Sequence, residues 1–136
     1  MTTFKTISSF RRRIEALLSV RRRIYAGVVE EIRREFCGQS IETIRRNNDI
    51  ILLNDAAVVV KLRLPDKQQH LSKSNGYRLI YLASKISETV VFLDIYPKRG
   101  PMQQINIDRN TLKQLLLEVS IESRNNTLHN FDMYPS

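Results

Sequence analysis

Apolar residues recur at helical spacing from Phe10 to Phe36 and at every second position from Val58 to Leu64, and that change of period divides the chain. In the first stretch Phe10, Ile14, Leu17 and Leu18 form one stripe, with Arg11, Arg12 and Arg13 around it. Ile24, Val28, Ile32 and Phe36 form a second, with Glu30, Glu31, Arg33 and Arg34 outward. The register falters between Ser19 and Arg23, so residues 8–37 are predicted as two antiparallel helices rather than one rod. Ser8 or Ser9 is the expected cap and Gly38 the expected stop. Thr3 to Ile7 reads as a short first strand. Residues 39–57 stay open: SIETIRR fits a helical turn, and DIILLND fits either a strand or a buried helical piece.

From Val58 the alternation is that of a strand. Val58, Val60, Leu62 and Leu64 face one way, Val59, Lys61 and Arg63 the other, and Pro65 ends the run. A polar loop, DKQQHLSKSNG, leads to a second strand, YRLIYL; after the turn KISE comes a third, TVVFLDIYPK, with Pro97 near its end. DRNTLKQLLLEV then places Leu112, Leu115, Leu116 and Val119 at helical spacing, with Asp108 or Asn110 as cap. Short turns make neighbouring strands antiparallel. The expected fold is α+β: an N-terminal helical pair packed on a small, mainly antiparallel sheet, a C-terminal helix, and one sheet face partly open. Residues 1–119 would be a single domain. Residues 120–136, polar and poorly patterned, read as a tail that is mobile or ordered only by a partner.

Composition supports a folded chain and adds a direction. With 136 residues, 42% of them hydrophobic, and only 4 Gly and 4 Pro, a real core is affordable in one domain. A net charge of +8 points to polyanionic partners. The single cysteine, Cys37, excludes an internal disulfide and is expected as a half-buried thiol. Arg11 to Arg13 interrupt the amino terminus before an apolar run develops, and Ile50 to Leu53 is far too short to cross a bilayer. A cytoplasmic protein with no membrane partner is expected. His70, His129 and Cys37 lie too far apart to suggest a metal site, and the four glycines match neither a P-loop nor a dinucleotide fingerprint. No cofactor is expected.

Candidate chemistry gathers on the polar face of the strands. Lys61 and Arg63 rise from the same face about 7 Å apart. Arg78, Tyr96 and Lys98 join them if the registers align, with His70 and Lys73 in the loop that enters the Arg78 strand. Plainer readings stay open beside this one. Lys61 and Arg63 suit a solvated face, Arg78 suits a structural bridge to Asp94, His70 suits an ordinary loop position, and Tyr96 suits a strand aromatic.

The segment VVVKLRLP…SKSNGYRLIYLASKISETVVFLDIYPKRG resembles the RelE/ParE superfamily of bacterial toxins, in particular its RelE- and HigB-like branch. There a K-x-R strand precedes a loop reading roughly G-K-S-G-G-Y-R and a strand ending I-Y-x-K. Lys61 and Arg63 match the first element; Lys73, Ser74, Gly76, Tyr77 and Arg78 match the second; Ile95, Tyr96 and Lys98 match the third. Ser72 and Asn75 stand where that loop favours glycine. The resemblance covers residues 56–119 by motif. It implies a RelE-like fold and the toxin of a type II toxin–antitoxin system: a ribosome-dependent, metal-independent endoribonuclease that cleaves mRNA. Its partners would be a cognate antitoxin protein, the ribosome and mRNA. The implied catalytic set is Lys61, Arg63, Lys73, Arg78, Tyr96 and Lys98. In that set Arg63 and Arg78 clamp the phosphate, the lysines are candidate acid or base, and Tyr96 positions a nucleotide or transfers a proton. Two alternatives remain: a ParE-like inhibitor of DNA gyrase, and a catalytically silent protein that binds nucleic acid or an antitoxin.

Overall fold

The computed structural model of the chain describes residues 2–46, 49–53 and 56–134, with Leu53 described by its backbone alone. In chain order it runs β1 (Thr3–Thr6), α1 (Ser8–Leu18), α2 (Val28–Phe36), α3 (Ile41–Arg45), β2 (Ile50–Leu53), β3 (Ala57–Leu64), β4 (Tyr77–Ser84), β5 (Thr89–Pro97), α4 (Arg109–Arg124) and β6 (His129–Asn130). The strands form one sheet in the order β2-β3-β4-β5-β1-β6. β1 is parallel to β5 and every other neighbouring pair is antiparallel, so the fold is α+β with a mixed sheet. The open segment 39–57 thus contributes one short helix and one edge strand.

The core is aromatic at its centre. The Phe92 ring lies 5.1 to 5.9 Å, centroid to centroid, from those of Phe4, Phe10, Phe36 and Phe131. Phe36 also meets Tyr81 edge-on, and the Tyr81 hydroxyl donates to the Ile44 carbonyl at 2.8 Å, which fixes α3 to β4. Val28, Ile32 and Phe36 are all buried, so the stripe read from the sequence is the face α2 turns inward.

Four expectations are corrected. The break between the first two helices is longer than a tight turn: residues 19–27 connect them through a 3₁₀ turn at Arg21–Arg23. Arg22 and Arg23 there take φ of 64° and 52°, and Ile24 lies in the connector rather than on α2. Neither Ser8 nor Ser9 caps α1, whose N-cap is Ile7 with no side-chain bond. The free N–H groups of that first turn are taken by α4 instead: Ser8 N donates to Glu122 at 3.0 Å and Ser9 N to Glu118 at 2.8 Å. For the same reason the segment after Ser120 is no tail. Its Glu122 carboxylate serves the α1 terminus, α4 runs on to Arg124, β6 pairs with β1, and Met133 is buried. Cys37, expected half-buried, is exposed just past the end of α2.

Among the described residues no helix is long and apolar enough to cross a membrane. β2 closes one side of the sheet with Ile50, Ile51 and Leu52 all exposed.

Candidate functional site

Three strand ends meet where the sequence placed its cations. β3 and β4 pair with Arg63 opposite Arg78, and β4 and β5 pair with Arg78 opposite Tyr96. Residues directly opposed share a face, so Arg63, Arg78 and Tyr96 form one row across three strands. Lys61 lies one rung inward, opposite Ile80, which in turn opposes Asp94. Lys98 follows at the end of β5. Gly76 permits this junction, because a Cβ there would run into the Leu64 carbonyl and the Asp66 nitrogen. Its own carbonyl accepts the Lys98 N–H at 2.8 Å, which joins the start of β4 to the end of β5.

Arg78 is only 8% exposed, and three of its five guanidinium donors are taken by backbone carbonyls. Nη1 donates to the carbonyls of Lys73 (3.0 Å) and Tyr77 (3.2 Å), and Nη2 to that of Ser74 (3.1 Å). The side chain therefore shapes the loop before β4. Nε and the second Nη2 hydrogen donate to no described residue. Asp94, the carboxylate offered by the sequence as a partner for Arg78, pairs instead with Arg13 of α1 at 3.1 Å. Burial pushes the Asp94 pKa up, and the Arg13 charge opposes it.

The electrostatics mark a cationic cluster. Burial, then the charge of Arg63, lowers the Arg78 pKa, while Tyr96 and Asp49 act in the other direction. Lys98 is lowered by desolvation and then by Arg78, Lys61 and Arg63, so all four cations feel one another or share a neighbour. Tyr96 is buried and its pKa is raised, which keeps the phenol protonated even with Arg78 alongside.

A residue that sequence reasoning missed sits at the centre of the cluster. Asn106, in the strap between β5 and α4, receives Lys61 Nζ at 3.2 Å, Tyr96 Oη at 3.5 Å and the Ile107 N–H at 2.9 Å, all on its Oδ1. The neighbouring Ile105 carbonyl accepts Lys98 Nζ at 2.7 Å. A cleft of about 280 Å³ beside this point is lined by Ile51, Lys61, Asn106, Ile107, Arg109 and Leu112, with Asp108 at its rim. An asparagine in a loop has no periodicity to announce it, and only its proximity to the Asp108 cap hinted that the strap was ordered. Asp108 does cap α4, accepting the Thr111 N–H at 2.7 Å.

The structure thus gathers Lys61, Arg63, Arg78, Tyr96 and Lys98. Lys73 takes part through its carbonyl, while its side chain is exposed and its charge is not among those that shift Arg78 or Lys98. His70 is an exposed loop residue in left-handed conformation. Among the described residues no group of three His, Cys, Asp or Glu is placed to hold a metal ion. Chemically, the row offers several fixed N–H and O–H donors, and it suits an oxyanion with two or more oxygens. Comparison with known proteins finds no matching family model, no matching curated protein and no matching solved structure.

Proposed function

We propose that the Arg63–Arg78–Tyr96 row, flanked by Lys61 and Lys98, binds a phosphodiester of RNA, and that the protein is an endoribonuclease of the RelE/HigB type. The RelE-like arrangement of helices on the sheet belongs to the same proposal. The observation that supports it is the pairing register, which aligns Arg63, Arg78 and Tyr96 from three separate strands on one face. Motif similarity supports the choice of reaction.

In the proposed reaction the 2′-hydroxyl oxygen attacks the adjacent phosphorus. Its proton passes to a base, the P–O5′ bond breaks, and O5′ takes up a proton, leaving a 2′,3′-cyclic phosphate and a free 5′-hydroxyl. Lys98 suits the base, because desolvation and then its cationic neighbours favour the neutral amine. Tyr96 suits the donor, because burial keeps it protonated. Arg63 and the two unused N–H groups of Arg78 stabilise charge on the non-bridging oxygens. A small open site would rely on the ribosome to orient the message.

One observation favours a second reading. Arg78 spends three donors on loop carbonyls, as a structural residue would, which suits a protein that binds RNA and leaves it whole. Inducible expression in a bacterium, with the 5′ ends of messages mapped, separates the two. Wild type is expected to stop growth and to cut messages, and Arg63→Gln to lower cleavage about a hundredfold. Arg63 is exposed and outside the core, so that variant stays folded. Intact messages in the wild-type strain would favour binding alone, and DNA damage with intact messages would favour gyrase poisoning.

A further inference from the structure

Every long polar side chain on the inner edge of the cationic row ends on an oxygen of the same strap. Lys98 Nζ meets the Ile105 carbonyl, while Lys61 Nζ and the Tyr96 hydroxyl share Asn106 Oδ1. The strap is anchored on both sides of this contact. Toward β5, Tyr25 Oη donates to the Arg99 carbonyl at 2.7 Å and accepts the Met102 N–H at 3.3 Å, and Gln104 N donates to the Pro97 carbonyl at 3.0 Å. Toward α4, Asp108 is the helix cap. Between these anchors Ile107 packs half-buried against the core, and the two residues before it do not. Asn106 is exposed, and the Ile105 side chain is 89% exposed.

We infer that Ile105 and Asn106 occupy, in the free protein, the seat of a phosphodiester, with the Ile105 carbonyl and Asn106 Oδ1 standing where two non-bridging oxygens of a single-stranded nucleic acid would bind. Two neutral acceptors answer two ammonium groups and a phenol, a charge mismatch that an anionic phosphate removes. Donors that would otherwise sit unpaired are kept partnered until the ligand arrives. Ile105 and Asn106 are exposed, so moving these two residues aside while Ile107 stays seated breaks few apolar contacts. The inference rests on the reading of the row as a phosphate site, and not on cleavage.

The alternative is that Asn106 is a fixed prop holding Lys61 and Tyr96 in place for the ligand. The two differ in sign. Binding of a fluorescently labelled 2′-O-methyl RNA hexamer, which has no 2′-hydroxyl to react, is measured by anisotropy at one fixed salt concentration. Removing the internal surrogate with Asn106→Ala should tighten binding about fivefold. Supplying a charged one with Asn106→Asp should weaken it about tenfold. Binding by Asn106→Ala that is weaker than wild type, unchanged or absent overturns the inference, as does an Asn106→Asp chain that binds as well as wild type or better. Should either variant fail to fold, the wild-type chain still decides. The Ile107 amide, held by Asn106 Oδ1, should exchange its hydrogen faster once the hexamer is bound, and unchanged or slower exchange overturns the idea. Messages left whole in the induced wild-type strain while the sign pattern holds remove the nuclease reading and keep the seat. Cut messages with reversed signs do the opposite.

Discussion

A nearly buried guanidinium needs acceptors, and Arg78 finds them in the carbonyls of Lys73, Ser74 and Tyr77. Arg78→Ala would leave those carbonyls short of donors inside a tight loop, and is expected to lower stability by about 2 to 3 kcal/mol in urea unfolding. Arg63→Gln, at an exposed position, should stay within about 0.5 kcal/mol of wild type. Loss of activity in the first variant therefore mixes folding with chemistry, and loss in the second does not. The sequence offered Arg63, Arg78 and Tyr96 as one cluster on condition that the registers align, because strand alternation is local and register is not; the pairing meets that condition. The sequence could not assign Asp94 to Arg13, nor Lys61 and Tyr96 to Asn106. Those partners come from a helix and a strap far along the chain, and no spacing rule links them.

At the scale of elements, α1 and α4 act as one device. The Ser9 N–H and hydroxyl both bind the Glu118 carboxylate, and Glu122 holds the Ser8 N–H. Burial alone would push the Glu118 pKa up, but the bonds from Ser9 bring it below its ordinary value of 4.5. A carboxylate whose pKa is depressed on folding adds stability above its unfolded value, and that stability is lost as pH falls through the folded one. Wild type should therefore lose melting temperature on acidification past pH 4.5 more steeply than Glu118→Gln, which starts lower at neutral pH and falls less. Parallel melting curves of the two chains from neutral to acidic pH check this. α4 itself was legible from its leucines and from Asp108. Its last turns were not, since their polar residues look like solvent exposure until the α1 terminus is seen to receive them.

For the whole molecule, Phe92 is where the aromatic core converges, touching rings carried by β1, α1, α2 and the segment after β6. Phe92→Ala is expected to cost about 3 to 5 kcal/mol, a large part of the total for a domain of this size, as read by chemical denaturation. The order α1, α2, β3, β4, β5, α4 could be read from the two periodicities, while α3 and β2 fall in the stretch they left open. The placement of β1 could not, because a parallel neighbour carries no turn signal and β6 is only two residues long. That placement has a kinetic consequence. The contact from Thr6 to His129 spans 123 positions, so β1 gains its second neighbour only once a very long loop has closed. Until then it presents an unpaired margin, and a nascent chain stalled before residue 129 would hold an unfinished sheet.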